Sequence, residues 1–321
     1  MATVKLGVAL YGNNGHQIAH ALHNHSQATL IGYAEMPLAS LHQSQQNNPA
    51  VKMYSSLDEI LSDKTVDIVS LCSPRRSEQA AQAIACLQAG KHVYAEKPSA
   101  LYEHDLDAII ETAQKTGCHF HEMADTFLGQ PFYTMRAAIK NGMIGTVVQV
   151  IAQKSYPYHD GRPQDESVDG GLLLQVGVHA ARFIEHVAGV KIVECNAIET
   201  ALGNPKDGDL KMACVMNAAL ENGGVGVLTA NYLRKRTGAA PWGGDQLRVF
   251  GTTGILDNLP GEESVIFTDS NGITKSLDPV IPPKGFFEYV IDSINGVDKM
   301  PFSLEDELHP TRVMIRVKNT I

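Results

Sequence analysis

Two glycines near the start of the chain have a spacing that could hold a phosphate group. An apolar stretch, Val4 to Tyr11, runs into Gly12-Asn13-Asn14-Gly15, and a helix is expected from His16 to His25. A glycine turn between a strand and a helix lets backbone N–H groups and the helix N-terminus meet a pyrophosphate. The dinucleotide fingerprint G-x-G-x-x-G would begin at position 10, where this chain has Leu10. Two of three glycines indicate a dinucleotide site, although an ordinary strand-to-helix turn would look the same.

An acidic residue follows the second predicted strand, where a dinucleotide-binding fold places one. This strand, Ala28 to Ala34, ends at Glu35, twenty residues after Gly15 (35 − 15). A carboxylate there accepts hydrogen bonds from ribose hydroxyls and repels a 2′-phosphate, so Glu35 favours NAD over NADP. Arg75 and Arg76 argue the other way, because guanidinium groups bind phosphate well.

The elements that must position these residues alternate between strands and helices. Strands are predicted at Ile68 to Cys72, His92 to Ala95 and His119 to Ala124. Helices are predicted from Ser56 to about Ser62, which begins with a capping box, from Ser77 to Ala89 and from Leu101 to Thr116. Apolar strands that alternate with helices are typical of a parallel sheet covered on both faces. Residues 1–125 are therefore predicted to form a Rossmann-type, doubly wound α/β domain.

The pattern changes after residue 125. A helix from Pro131 to Asn141 precedes longer alternating strands, and a last helix is expected from Leu304 to Lys318, with Pro310 as its kink or its true start. The strands are predicted at Val147 to Lys154, Ile192 to Glu199, Met212 to Leu220, Val225 to Tyr232 and Gln246 to Phe250. Long strands with local turns favour an antiparallel sheet. Residues 126–321 are therefore predicted to form an α+β domain with a large, mostly antiparallel open sheet that binds substrate and other subunits.

Composition excludes several classes of protein. The net charge is −9, from 26 basic and 35 acidic residues, so a nucleic-acid partner is not expected. The five cysteines form no C-x-x-C pair, which argues against a zinc site or a disulfide framework and favours a reducing compartment. No apolar run reaches the ~18 residues of a membrane span. A cytoplasmic protein without a metal is the resulting expectation.

Three segments carry a resemblance to a known family. Ala89–Pro98, with the letters AGKHVYAEKP, resembles the "AGKHVxxEKP" hallmark of the Gfo/Idh/MocA oxidoreductases. Gly142-Met143-Ile144-Gly145 is similar to their "G-x-I-G" turn, and Gly170–His179 resembles their "GGxxxDxGxHxxD" segment. The segments occur in the family's order and span essentially the whole chain.

This resemblance implies an NAD(P)-dependent dehydrogenase or reductase with a small carbohydrate substrate. It places Lys97 beside the nicotinamide and the substrate hydroxyl, with a Lys97–Pro98 bond that can be cis, and His179 at the same point. It also implies a homodimer or homotetramer formed through the second sheet. The predicted cofactor contacts are Tyr11, Gly12, Asn13, Asn14, Gly15, Glu35, Ser73, Pro74, Arg75, Glu96 and Lys97.

The chain departs from the family pattern at the acid/base position. Gln175 stands where the family usually has an aspartate, and an amide cannot hold a proton near neutral pH. His179 is the first candidate base, because an imidazole titrates near pH ~6.5, and Lys97 is the second. A structural histidine on an amphipathic helix from Gly177 to Val187 is the alternative for His179. Gln175 could orient a substrate hydroxyl or His179 without exchanging a proton.

The polar loop Pro157 to Gly171 and the residues before it supply the other predicted substrate contacts. Tyr158 or His159 could replace the missing aspartate, with Asp165, Glu166 and Asp169 as rivals in a loop that is otherwise solvated. The predicted substrate contacts are Lys97, Tyr156, Tyr158, His159, Gln175 and His179. Trp242 could stack on a sugar ring or anchor a loop, and His309 could contribute to the site or lie at the surface.

Three functions remain open from the sequence. The first is hydride transfer between a nicotinamide cofactor and a hydroxyl or keto carbon of a sugar, glycoside or cyclic polyol. The second is a glycoside-cleaving enzyme that oxidises its substrate transiently with bound NAD. The third is a ligand-sensing relative without catalysis, favoured by Leu10 and Gln175 and disfavoured by the retained Lys97 and His179.

Overall fold

A computed structural model describes residues 5–235, 242–258 and 264–321. Val4, the first residue of the first predicted strand, lies outside this range. The described chain divides into two compact units. The first contains the residues up to Met123 together with Phe286–Leu308, and the second contains Ala124–Gly285 and His309–Ile321. The segment Phe286–Leu308 belongs to the first unit, which a division at residue 125 does not anticipate.

The first unit is built on a parallel sheet of six strands. The strands are β1 (Leu6–Tyr11), β2 (Ala28–Ala34), β3 (Lys52–Met53), β4 (Ile68–Leu71), β5 (His92–Ala95) and β6 (Phe120–Glu122). Their order is β3-β2-β1-β4-β5-β6, with every pair parallel. Strands β1 and β4 are buried along their whole length, as expected for strands covered on both faces. The doubly wound Rossmann topology is confirmed.

Short and long helices connect these strands. They are α1 (Gln43–Gln46), α2 (Leu57–Ser62), α3 (Gln79–Gln88) and α4 (Glu103–Thr116). The Ser56 hydroxyl caps α2 by accepting from the Glu59 N–H, as the sequence predicts. The Glu59 carboxylate accepts from Ser55 and not from Ser56, so the capping box is only half formed.

The helix predicted from His16 to His25 is wrong. Residues 19–24 form turns, and the N–H of His23 donates to His20 instead of to Ala19. The Ala19 carbonyl accepts from the side chain of Gln45 on α1, at 2.8 Å, so it is not available to a helical ladder. The glycine turn is consequently not followed by a helix whose dipole could contribute to phosphate binding.

The second unit contains a sheet of eight strands. They are β7 (Val147–Ser155), β8 (Ile192–Thr200), β9 (Ala213–Leu220), β10 (Val225–Asn231), β11 (Gly244–Gly251), β12 (Gly254–Asn258), β13 (Val265–Asp269) and β14 (Thr274–Leu277). The order is β14-β13-β12-β11-β7-β10-β9-β8, and only β7 and β10 pair in parallel within the described residues. The mostly antiparallel sheet is confirmed, while strands β12 to β14 were not predicted.

Four α-helices lie in the remaining part of the chain that the structure describes. They are α5 (Phe132–Lys140), α6 (Val178–Arg182), α7 (Phe286–Ile294) and α8 (Leu304–Lys318). Helix α8 begins at Leu304 and continues through Pro310, so Pro310 does not mark its start. Residues on both sides of α6 remain helical with the wider π-type spacing, at Leu173–Gly177 and Phe183–Ala188. This helical segment is buried on all sides from Gly171 to Ala188, and the prediction that it is amphipathic is therefore wrong.

Candidate active site

The predicted cofactor residues follow strands that end side by side. In the sheet register Tyr11 pairs with Ala34 and with Leu71, and Leu71 pairs with Ala95. Strands β2, β1, β4 and β5 therefore end in one row, at the edge where open parallel sheets bind ligands. The residues that follow this row are Gly12, Glu35, Cys72 and Glu96.

Both glycines of the turn are required by their surroundings. Gly12 has a φ of +74°, and a Cβ there would lie 2.1 Å from the carbonyl oxygen of Cys72. Gly15 has a φ of +133°, and a Cβ there would lie 2.3 Å from Oε2 of Glu96. A larger residue at either position would be strained and would collide with its neighbours.

The backbone amides of this turn divide into two sets. The N–H groups of Gly12, Asn14 and His16 donate to oxygen atoms of the protein. The N–H groups of Asn13 and Gly15 have no acceptor among the described residues, and both residues are exposed. Two outward-facing amides, in a turn that only glycine permits, fit the pyrophosphate of a dinucleotide even without a following helix.

Glu35 stands at the end of β2 with its side chain exposed. Its φ is +52°, a backbone conformation that few residues other than glycine adopt. Burial, and then the carboxylate of Glu35, raise the pKa of Tyr11 at the end of β1. The negative charge of Glu35 is therefore close to the glycine turn, which fits the expected contact with the adenosine ribose.

Glu96 connects the glycine turn to Lys97. One oxygen of its buried carboxylate accepts from the N–H and from Nδ1 of His16, the latter at 2.8 Å. The other accepts from the N–H of Lys97 at 2.9 Å. Burial would raise the pKa of Glu96, but the hydrogen bond from His16 and the charge of Lys97 outweigh it and hold that pKa well below its usual range. Lys97 itself is buried, and the Lys97–Pro98 bond is cis, as the resemblance implies.

Gln79, which the sequence analysis missed, holds the Lys97 segment. Its amide nitrogen donates to the carbonyls of Glu96 and Pro98, on either side of Lys97. Its amide oxygen accepts from the guanidinium of Arg76, which also donates to the Asn14 carbonyl of the glycine turn. Arg76 is buried in this network and forms part of the framework instead of a free phosphate-binding group.

A second buried network fixes the residue after the cis bond. The N–H and the hydroxyl of Ser99 both donate to Oε1 of Glu122, each at 2.7 Å. The N–H of Glu122 donates to Glu307, at the start of α8, and His121 contacts the same carboxylate at 2.9 Å. The position of Lys97 therefore depends on residues near the end of the chain as well as on β5 and β6.

The remaining predicted cofactor residues follow β4. The Ser73 hydroxyl is buried and donates to Gln82 at 2.6 Å, and the Pro74 carbonyl accepts from the side chain of Asn14 at 3.2 Å. Arg75 is exposed, with its Nε 3.5 Å from the carboxylate of Glu78. An exposed pair of this kind contributes little to stability and does not fix the arginine.

In the second unit, His179 contacts a tyrosine. The hydroxyl of Tyr156, just after β7, lies 3.2 Å from Nε2 of His179 on α6. The amide nitrogen of Gln175 donates to the backbone carbonyl of Asp169 at 2.7 Å, so this amide anchors the preceding loop. Tyr156 therefore contacts the candidate base.

Tyr158, His159 and Trp242 lie around this pair. The Tyr158 hydroxyl is buried and has no hydrogen-bond partner among the described residues. The ring centre of Trp242 lies 6.4 Å from that of Tyr156 and 6.0 Å from that of His159. Burial and then the guanidinium of Arg162 lower the pKa of His159. Aromatic and hydrogen-bonding groups thus surround Tyr156, as a carbohydrate site requires.

The rival acidic residues serve the loop. Asp165 and Asp169 accept from backbone N–H groups two residues further on, at 2.9 and 3.0 Å. Glu166 pairs with Lys318 of α8 at 2.5 Å. His309 contacts the buried carboxylate of Glu185 at 2.9 Å. These contacts are structural, and the description of Glu166 as part of a solvated loop is wrong, because it is half-buried and paired.

The described residues contain no group of three or more histidine, cysteine or acidic side chains that could hold a metal. All five cysteines are free thiols. No helix in the described part of the chain has the length and apolar character needed to cross a membrane.

Family models match both halves of the chain. Residues 4–123 match the oxidoreductase family with an NAD-binding Rossmann fold, and residues 132–257 match the GFO/IDH/MocA C-terminal domain. The chain belongs to the Gfo/Idh/MocA oxidoreductase family. It is an NAD(P)-dependent oxidoreductase, as the motifs around Lys97 and His179 predict.

Relatives with named activities share this architecture. A myo-inositol 2-dehydrogenase of Thermotoga maritima is 28% identical over 278 residues, which cover 84% of this chain and 79% of the relative. A solved structure of a Thermotoga maritima protein assigned as an oxidoreductase superposes with a TM-score of 0.87 at 26% identity, covering 98% of this chain and 97% of the other. An aldose-aldose oxidoreductase of Caulobacter crescentus, solved with glycerol, has a TM-score of 0.80 at 20% identity over 98% of both chains and supports the fold alone.

Proposed function

We propose that this Gfo/Idh/MocA oxidoreductase transfers a hydride between NAD and a hydroxyl-bearing carbon of a sugar, glycoside or cyclic polyol. One observation carries the proposal. The glycine turn, Glu35 and Lys97 all follow strands that end in one row. The named activity of the myo-inositol 2-dehydrogenase supports a polyhydroxylated substrate.

The proposed cofactor is NAD, with the free amides of Asn13 and Gly15 at its pyrophosphate and the carboxylate of Glu35 at its ribose hydroxyls. A 2′-phosphate would meet this carboxylate, which disfavours NADP. When bound, the nicotinamide ring accepts or returns the hydride. Buried Glu96 keeps the turn and the Lys97 backbone in one arrangement, so both are organised before the cofactor arrives.

Proton handling is proposed to involve Lys97 and the Tyr156–His179 pair. In this proposal the Tyr156 hydroxyl passes the proton of the substrate hydroxyl to Nε2 of His179, whose Nδ1 is buried, and the Lys97 ammonium stabilises the developing negative charge on the substrate oxygen. The Tyr156 hydroxyl, 3.2 Å from Nε2, orients the imidazole. Tyr156 would thus take part in the proton handling that the amide of Gln175 cannot perform, while Gln175 holds the loop.

Absorbance of NADH at 340 nm tests the proposal. A panel of cyclic polyols, aldoses and glycosides is incubated with NAD or NADP, and we expect turnover with at least one member and a preference for NAD. Lys97→Ala should lower turnover by about 1,000-fold, within the range of a general acid/base or charge-stabilising group. Lys115→Ala, which breaks an exposed pair with Glu111, is the matched control and should keep the original rate.

Other outcomes identify the alternatives. Cleavage of a glycoside without net NADH, in enzyme that retains its NAD, would replace the proposal by transient oxidation. NAD binding without any turnover, unchanged in His179→Ala, would indicate a ligand-sensing protein. An unchanged rate in Lys97→Ala would refute the assignment of the site.

We further propose that the protein is a cytoplasmic homo-oligomer assembled through the eight-stranded sheet. Outward-facing apolar side chains on four neighbouring strands support this, with exposures of 39% for Ile151, 74% for Ile198, 49% for Val215 and 51% for Val225. Apolar side chains interspersed with polar ones, such as Asn217 and Asn196, are a composition found at many subunit interfaces. Light scattering on the purified protein should give a dimer or tetramer, and Ile198→Asp together with Val215→Asp should give a monomer.

A further inference from the structure

An arginine without an acidic partner lies beside the Tyr156–His179 pair. The guanidinium carbon of Arg162 lies 3.8 Å from the ring centre of Tyr232 and 5.9 Å from that of Tyr156. Arg162 is half-buried, and its Nε is buried without a hydrogen-bond partner. Among the residues that the structure describes, no carboxylate forms an ion pair with it.

Such an arrangement is costly unless a ligand completes it. A guanidinium that leaves bulk water loses hydration, and contacts with aromatic faces restore only part of that loss. The chain has more acidic than basic residues, 35 against 26, so a carboxylate partner is not scarce. An unpaired arginine in this setting therefore points to an anion from outside the protein.

The other charges near Tyr156 are already balanced. Lys154 lies 5.1 Å from the Tyr156 ring centre, but its ammonium pairs with Asp245 at 2.6 Å. Asp160, two residues before Arg162, lies 3.4 Å from Lys206. Asp160 thus pairs with Lys206, and none of the described carboxylates forms an ion pair with Arg162.

Two further donors of the same loop are unused. The Tyr158 hydroxyl and the amide nitrogen of Gln164 are buried without partners among the described residues. The amide oxygen of Gln164 accepts from Asn204 at 2.8 Å, which fixes the side chain. Tyr158, Arg162 and Gln164 thus each carry a buried donor with no partner among the described residues, and all three lie on the loop that follows the strand leading to Tyr156.

We propose that Arg162 binds a carboxylate of the substrate, and that the substrate is an acidic sugar or an acidic polyol. This rests on the proposed function and narrows it. A single uncompensated guanidinium matches one planar, singly charged carboxylate in a two-point contact, whereas a doubly charged phosphate would leave an excess negative charge. Burial and then the guanidinium of Arg162 lower the pKa of His159, which favours the neutral imidazole.

Paired substrates test this proposal. D-glucuronate, D-galacturonate and D-gluconate are compared with D-glucose, D-galactose and sorbitol, with NAD and the intact protein. We expect kcat/KM to be about 10- to 100-fold higher for the acids, as a charge-assisted contact predicts. Arg162→Gln should remove this preference by lowering kcat/KM for the acids more than for the neutral sugars, while Arg162→Lys should restore part of it. Arg248→Gln, which breaks a surface pair with Asp257, is the matched control.

A binding measurement separates this inference from the proposed function. Calorimetry with the same acids in the presence of NAD needs no turnover. Binding of an acid that Arg162→Gln abolishes, without NADH formation, would sustain the inference and refute the oxidoreductase proposal. Four results would each overturn the inference. They are turnover of neutral sugars without preference for acids, an equal loss of kcat/KM for both classes in Arg162→Gln, a higher kcat/KM for glucose 6-phosphate than for the acids, and no binding of any acid.

Discussion

Replacing Gln79 by methionine should destabilise the protein far more than its single position suggests. The side chain makes four buried hydrogen bonds: its nitrogen donates to the Glu96 and Pro98 carbonyls, and its oxygen accepts from Ser73 N–H and Arg76. Methionine has a similar volume and forms none of them. At about 1 kcal/mol for each neutral bond and about 2 for the charged one, the loss in unfolding free energy is about 5 kcal/mol.

Urea unfolding followed by circular dichroism measures this loss. Gln82→Met is the control, because Gln82 lies one turn further along α3 and accepts one bond, from the Ser73 hydroxyl. Its expected cost is about 1 kcal/mol. Turnover of Gln79→Met, measured where it is folded, should also fall, because both carbonyls that flank Lys97 lose their donor. Equal costs for the two variants would refute the view that Gln79 holds the Lys97 segment.

The remaining predictions concern the glycine turn and the proton pathway. Gly15→Ala should weaken NAD binding by about tenfold or more in fluorescence titration, because the added Cβ would meet Glu96 at 2.3 Å, and an unchanged affinity would contradict the described turn. Glu35→Ser should raise the steady-state KM for NAD by about tenfold and lower the KM for NADP by about tenfold. Unchanged KM values would show that Glu35 does not contact the cofactor. Tyr156→Phe should lower kcat by about 10- to 100-fold and shift the acid limb of the rate profile, with little change in KM. The pKa of Glu96 is depressed in the folded state, so the stabilisation by its carboxylate is present above the ordinary carboxyl pKa and is lost as the pH falls through the depressed value. Glu96→Gln should therefore lower the free energy of unfolding by about 3 kcal/mol at pH 7. In thermal unfolding, the difference between this variant and the parent protein should shrink on acidification.

The parallel sheet could be predicted because its strands are short, apolar and separated by helices. Strand β2 ends at Ala34 as predicted, and the register of four strand ends then brings Gly12 and Glu35 to one edge. The absence of a helix after Gly15 could not be predicted from periodicity, because a side chain 26 residues from Ala19 takes the Ala19 carbonyl that a helix needs. Local pattern cannot report a competitor of that kind.

Strands β12 to β14 were missed although one signal was present. Asn271-Gly272 is a hairpin turn signal, and Gly272 does adopt a φ of +78° between β13 and β14. Strand β14 is polar and exposed along nearly its whole length, so it lacks the alternation that indicates a half-buried strand.

The motifs of the site were visible in the sequence, but the groups that position them were not. Lys97 and His179 stand in family segments, whereas Gln79, Glu122 and Arg162 are ordinary residue types in ordinary positions. Gln79 and Glu122 matter because they form hydrogen bonds with residues 17 to 23 positions away in the sequence. Arg162 matters because it has no acidic partner among the described residues. Only coordinates supply that information.

The return of Phe286–Leu308 to the first unit has a consequence for how the protein is made. The ring centre of Phe287 lies 5.7 Å from that of His25 and 5.3 Å from that of Tyr94. The Asp292 carboxylate accepts from the side chain of Gln27, and the Glu307 carboxylate accepts from the backbone N–H of Glu122. The nucleotide-binding unit therefore cannot close its own core until the ribosome has also synthesised Phe286–Leu308. A fragment that stops at residue 123 should yield an incomplete, aggregation-prone product, and a transplantable cofactor module would have to include both segments of this unit.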